Sequence, residues 1–261
     1  MRNFDSNIVK NEIIEFIRNY YKKYDLDGAV LGISGGKDSG VVAALLVEAL
    51  GCENVVGLTL PCYSKEEDRV LAHEVSKYYG FKLYNIDLTK VFDSFKKEVN
   101  KIDDFKGIEA EHADMNIKPR LRMVSCYYIA SFLSAVNNKK YLVVGTSNKS
   151  ELFVGYFTKG GDFVCDIAPI ADLMVDEVIK IGEVLNVPKE ILYKTPSDGL
   201  SDLTDEEKLG VSYDSIASYI NNTGFVSKKD RMKIESLHEA SKHKFVLPIY
   251  KVSDNIDSFF D

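Results

Sequence analysis

Apolar residues Val9, Ile13, Phe16, Ile17, Tyr20 and Tyr24 recur at helical spacing, which predicts an amphipathic helix over 5–24. A different pattern follows: "GAVLGIS" (28–34) is a short continuous apolar run ended by small residues, and predicts a buried strand. "VVAALLVEAL" (41–50) has the length of a buried helix and stops at Gly51. "NVVGLTLP" (54–61) predicts a strand, "KEEDRVLAHEVSKYYG" (65–80) a helix with a glycine stop, and "FKLYNIDL" (81–88) a further strand. Strand and helix thus alternate at close spacing, the pattern of an α/β chain whose doubly wound parallel sheet carries helices on both faces.

A helix over 89–100, a polar stretch over 101–116 and a long helix over 117–137 come next. "KYLVVGTS" (140–147) predicts another buried strand, and 148–172, rich in Gly, Asp and Lys without periodicity, a functional loop. A helix over 173–186 ends before Pro188, and 194–210 is an acidic, punctuated loop of the mobile or lid type. Helices near 206–221 and 227–241 complete the pattern, and the absence of repeats and linkers predicts a single domain over 1–261.

Composition narrows the class of function. A net charge of −7 argues against broad binding to nucleic acid. No apolar run reaches the ~18 residues needed to span a bilayer. The first residues, "MRNFDSNIVKNEIIEF", lack the apolar core of a signal peptide, so a cytoplasmic location without membrane partners is expected. Cys52, Cys62, Cys126 and Cys165 have no C-x-x-C or metal-ligand spacing and are expected as reduced thiols.

The chemistry concentrates in "LGISGGKDSG" (31–40), which lies between the first strand and the helix after it. The amides of 34–39 then sit at a helix N-terminus, where unpaired N–H groups and the helix dipole favour an anion. The stretch does not match G-x-x-x-x-G-K-[ST], and it places a carboxylate, Asp38, where phosphate is expected. A divalent cation bridging Asp38 to phosphate oxygens would account for it, since Mg²⁺ usually takes one or two carboxylates plus substrate phosphates. A glycine turn capping the helix, with Asp38 facing the dipole, is the plainer alternative.

Ser34, Gly35, Gly36, Asp38 and Ser39 form an S-G-G-x-D-S stretch that resembles the pyrophosphate loop of the N-type ATP pyrophosphatases, which cleave ATP between its α and β phosphates. "NIKPRLRM" (116–123), "VGTSNKSELFVGYFTKGGD" (144–162), "DIAPIADL" (166–173), "KTPSDGL" (194–200), "TDEEKLGVSYDSI" (204–216) and "HK" (243–244) follow in order. Together they resemble ammonia-dependent NAD synthetases over nearly the whole chain. The resemblance implies a Rossmann-like sheet of the adenine nucleotide alpha hydrolase type, a homodimer, and a dinucleotide site shared between subunits. It implies amidation of deamido-NAD by ammonia with ATP giving AMP and pyrophosphate, through an adenylated intermediate.

By matched position, the resemblance implies ATP contacts from Gly32, Ile33, Ser34, Gly35, Gly36, Lys37, Asp38, Ser39, Thr146 and Ser197. It implies Mg²⁺ ligands at Asp38 and Glu151, and deamido-NAD contacts at Arg120, Lys159, Asp166, His243 and Lys244. Asp162 in "GGD" is the expected acid that receives ammonium and helps deprotonate it, against a purely structural turn aspartate. Glu151 as a solvated loop acid, His243 as a surface histidine and Arg122 as a surface charge are the plainer readings of those positions. One departure stands out: Val175 occupies a position where the family has an ATP-contacting lysine, leaving Lys37 and Lys149 as candidate replacements. Only 33 residues precede Ser34 and the cysteines fall within the synthetase pattern, so free ammonia rather than glutamine is the expected donor. The alternatives are another adenylating enzyme of the superfamily, or a regulator that holds an adenine nucleotide without turnover.

Overall fold

The computed structural model describes residues 4–194 and 204–250. Its order is α1 (Ser6–Tyr24), β1 (Gly28–Gly32), α2 (Lys37–Leu50), β2 (Val55–Thr59), α3 (Glu66–Tyr79), β3 (Lys82–Asn85) and α4 (Thr89–Val99). Then come α5 (Glu111–Asn137), β4 (Tyr141–Val143), α6 (Lys149–Val154), α7 (Val175–Val184), α8 (Lys189–Leu192), α9 (Asp205–Leu209), α10 (Tyr213–Ile220) and α11 (Lys228–Ser241). The sheet has the order β3-β2-β1-β4, every pair parallel. The chain winds outward one way from β1 to β3 and then crosses to the other side of β1. The carboxyl end of β1 therefore borders the switch point, where open α/β sheets place their ligands.

Burial on both faces explains the unbroken apolar runs. Ala29 and Leu31 pack into one cluster with α1, α2, α3 and α7, whereas Val30, Val56, Leu58 and Val143 pack into a second with Phe92 of α4 and Cys126, Ala130 and Leu133 of α5. A third cluster joins α6, α10 and α11 through Val154, Ile216 and Ile234. No described helix is long and apolar enough to cross a membrane.

The helix expected near 206–221 is broken at Gly210 into α9 and α10, α8 was not expected, and other elements start elsewhere than the sequence pattern has them. The second helix starts at Lys37, not 41, because a polar first turn carries the loop amides and shows no apolar periodicity. The helix expected over 117–137 begins at Glu111 and runs through Pro119. Its polar first turns are held from outside: Lys96 pairs with Asp114 at 2.5 Å, and Thr158 Oγ1 donates to Asn116 Oδ1 at 2.9 Å. Within the expected loop 148–172 lies α6, opened by a capping box in which Asn148 Oδ1 accepts from the Glu151 amide and Glu151 Oε2 from the Asn148 amide. The lid-type reading of 194–210 falls mostly outside the described residues, and so does Ser197; residues 205–209 form α9.

Candidate functional site

Gly36 caps α2 in an extended conformation and makes no side-chain cap, so the first amides of the helix have no side-chain partner from the cap residue. The loop is braced from within: the Ser34 amide donates to Ser39 Oγ at 3.2 Å, and the Gly36 amide to Ser34 Oγ at 3.2 Å. Gly35 has φ +77°, and a Cβ there would lie 2.4 Å from the Asp68 carbonyl oxygen, so only glycine fits.

The loop opens on a cavity of about 350 Å³ at the carboxyl ends of the strands. Gly32, Ile33, Ser34, Gly36, Lys37, Asp38 and Ser39 line it, with Thr146 after β4 and Glu151 on α6. Gly35 faces α3 instead. An apolar wall of Leu58, Leu60, Met123, Cys126 and Val143 can take a flat ring.

One side chain ties the two acids together. Asn148 is fully buried, caps Glu151 with Oδ1, and donates Nδ2–H to Asp38 Oδ1 at 3.1 Å. Lys37, only 6 % exposed, pairs with Asp38 Oδ2 at 3.0 Å. Burial pushes the Glu151 carboxyl well above the usual carboxylate range, and the Asp38 charge adds to that push. Burial also works against the Lys37 ammonium, but the charges of Asp38 and Glu151 outweigh it and raise its pKa. Two acids crowded this way, with one buried ammonium paired to Asp38, are a donor set that a further cation would relieve. They fit Mg²⁺, which uses one or two carboxylates and fills its remaining positions with phosphate and water oxygens.

Asp162 is open to the cavity, and its Oδ1 accepts the Thr158 amide at 2.9 Å. Protein around the carboxyl raises its pKa, with the Thr158 amide opposing. Arg120, Lys159, His243 and Lys244 come together outside this cavity. Arg120 donates to the Lys159 carbonyl at 3.2 and 3.3 Å, Lys159 Nζ to the His243 carbonyl at 2.7 Å, and Lys244 Nζ to the Gly155 and Phe157 carbonyls. Asp166 stands apart from that group: it accepts from the Val143 amide at 2.7 Å and from the Tyr127 hydroxyl at 3.1 Å.

Sequence reasoning missed several wall residues. Arg122 is not a surface charge; it donates to the Leu60 carbonyl at 3.1 Å and Ser64 Oγ at 3.3 Å and lines the cavity. Asn148 was detectable from its capping-box spacing to Glu151. Lys65, Asp68, Lys194 and Asp205 also line the wall, brought there by chain segments with no common spacing. Of the two lysines proposed in place of Val175, Lys37 is on the wall, while Lys149 pairs with Asp172 at 2.7 Å and is not. Val175 itself packs against the third apolar cluster.

A parallel doubly wound sheet, a glycine loop at its switch point and a paired-acid cavity beside that loop define a nucleotide-binding α/β protein. Residues 9–252 match the family model for NAD synthase. A relative from Methanococcoides burtonii named NH(3)-dependent NAD(+) synthetase is 43% identical over 209 residues, 79% of this chain and 76% of its own. One of the same name from Methanocaldococcus jannaschii is 36% identical over 261 residues, covering 92% and 95%. Among solved structures, an NMN synthetase from Francisella tularensis superimposes with a TM-score of 0.86 at 30% identity, covering 96% of this chain and 100% of that one. The NH3-dependent NAD synthetase from Campylobacter jejuni gives 0.77 at 26%, covering 95% and 100%. This chain belongs to the NAD synthase family.

Proposed function

We propose that this protein amidates deamido-NAD with free ammonia, cleaving ATP to AMP and pyrophosphate. The observation that carries the reading is a single cavity in which the 34–39 phosphate loop faces two acids joined through Asn148. In this reading the loop amides and the Ser34 and Ser39 hydroxyls hold the ATP phosphates, and Thr146 contacts the nucleotide at the end of β4. Asp38 and Glu151 would hold Mg²⁺, which offsets charge on the polyphosphate. The pyridine carboxylate attacks the α-phosphorus, giving an acyl adenylate and free pyrophosphate; ammonia then displaces AMP. Asp162 takes the proton that ammonium must lose to become a nucleophile. Arg120, Lys159, His243 and Lys244, with Asp166 nearer the sheet, are assigned to deamido-NAD; cations suit its pyrophosphate. Ser197 is assigned to ATP by the family pattern alone.

The same reading makes the whole chain one synthetase unit, cytoplasmic and homodimeric. An exposed apolar row on α5, Val124, Tyr128, Phe132 and Val136 at four-residue spacing, supports the dimer. Sedimentation at micromolar concentration should return twice the chain mass, and a fully active monomer would rule the dimer out.

The likeness to an NMN synthetase favours a second reading, in which nicotinate mononucleotide is the acceptor. The dinucleotide is preferred here because the Arg120–Lys159–His243–Lys244 group lies beyond the cavity and gives a longer substrate something to reach. With ATP, Mg²⁺ and ammonium, deamido-NAD should be amidated with the higher kcat/KM. A higher kcat/KM for the mononucleotide would establish the second reading.

A further inference from the structure

We propose that Lys194 is a phosphate-contacting residue of the nucleotide site, and that Asp68 is the counter-ion that positions it until ATP takes its place. The proposal rests on the reading of the cavity as an ATP site. Two contacts with the phosphate loop and its helix hold the pair there. Ile191 and Leu192 of α8 are buried, and a Cβ on Gly40 would lie 3.2 Å from Ile191 Cγ2, so α8 lies directly against the first turn of α2. Lys194, two residues beyond α8, is thereby held at the cavity wall. On the other side, Asp68 in the first turn of α3 presses its carbonyl oxygen against Gly35, and its carboxylate pairs with Lys194 Nζ. The two side chains are 18 % and 19 % exposed, open enough to exchange partners through the cavity.

Three other cations near the loop have partners of their own. Lys37 is buried against Asp38, Arg122 is bonded to the Leu60 carbonyl and Ser64, and Arg69 is paired with Glu66 of its own helix. Val175 supplies no charge. Lys194 is 18 % exposed against 6 % for Lys37, and its carboxylate partner lines the cavity, where an arriving polyphosphate offers more negative charge at the same range. Pyrophosphate departure adds negative charge to the leaving group, so a contact there assists cleavage as well as binding.

Binding of α,β-methylene ATP with Mg²⁺, followed by calorimetry, tests this without any second substrate. Lys194→Met and Lys194→Gln should each weaken binding about ten-fold or more, the loss of one charge-assisted hydrogen bond. Lys194→Arg should restore most of it, and Asp68→Asn should bind at least as tightly as the unaltered protein. In turnover, KM for ATP should rise in the Met and Gln variants while KM for ammonium holds. If Asp68→Asn loses affinity in step with Lys194→Met, the pair is only a structural ion pair and the proposal fails. Unchanged binding in both Lys194 variants also overturns it, with the ATP reading left standing. Failure of the unaltered protein to bind the analogue overturns both.

Discussion

Alanine at Asp38 or at Glu151 is expected to lower kcat/KM by about 10²-fold or more, the several kcal/mol that a properly held divalent cation contributes to phosphoryl-group chemistry. The fold should survive either change. Lys37 is the buried cation at risk, and it lies within electrostatic range of both acids and of Asp205, so each single variant leaves it two negative neighbours. Removing both acids leaves only Asp205, the smallest of the three influences on Lys37, and the double variant should lose more thermal stability than the two single variants together. Asn148→Ala should fall between the single variants and the unaltered protein in activity, because it frees both acids without removing either. Circular dichroism and thermal melts separate folding from activity. A folded Asp38→Ala protein with full activity at limiting Mg²⁺ would sink the metal assignment.

What made this site legible was its dependence on contiguous residues. The 32–39 loop, Thr146 and Glu151 lie at strand ends or helix starts, where sequence and three-dimensional position coincide, and all but Gly35 line one cavity. The buried strands were readable because both faces are covered, which makes them continuous apolar runs. The first turns of α5 were not, because their helicity comes from Asp114 and Asn116 bonding to other segments rather than from periodicity. The α6 start was missed though its capping box stands in the sequence. Arg122, Asp68 and Lys194 were hidden for a third reason. Their roles depend on which segments converge on the loop, a long-range relation that no local spacing records.

Glutamine in place of ammonium is expected to yield no NAD. Glutamine-dependent amidation needs a thiolate nucleophile, and burial disfavours the thiolate at three of the four cysteines. Burial raises the Cys126 thiol to about 12. Burial raises Cys62 and Cys165 as well, with the Asp166 charge adding to the effect at Cys165. Velocity at subsaturating ammonium should rise with pH for two reasons of the same sign. The free-base fraction of ammonia grows, and Asp162, whose pKa is raised, becomes a proton acceptor only at a higher pH than an ordinary aspartate. Asp162→Asn should remove the second contribution and leave the first, so its profile should rise with a single ionisation. An identical profile in the folded Asp162→Asn protein would return Asp162 to the role of a turn residue. NAD formed from glutamine by the purified chain, at a rate near that with ammonium, would overturn the ammonia assignment.

The most direct test is the product balance after incubation with ATP, Mg²⁺, deamido-NAD and ammonium. NAD, AMP and pyrophosphate should appear in equal amounts, and none of the three should form when deamido-NAD is withheld. ADP with inorganic phosphate in place of AMP with pyrophosphate, or nucleotide cleavage that proceeds equally without deamido-NAD, would contradict the assignment of the loop, the paired acids and the reaction together.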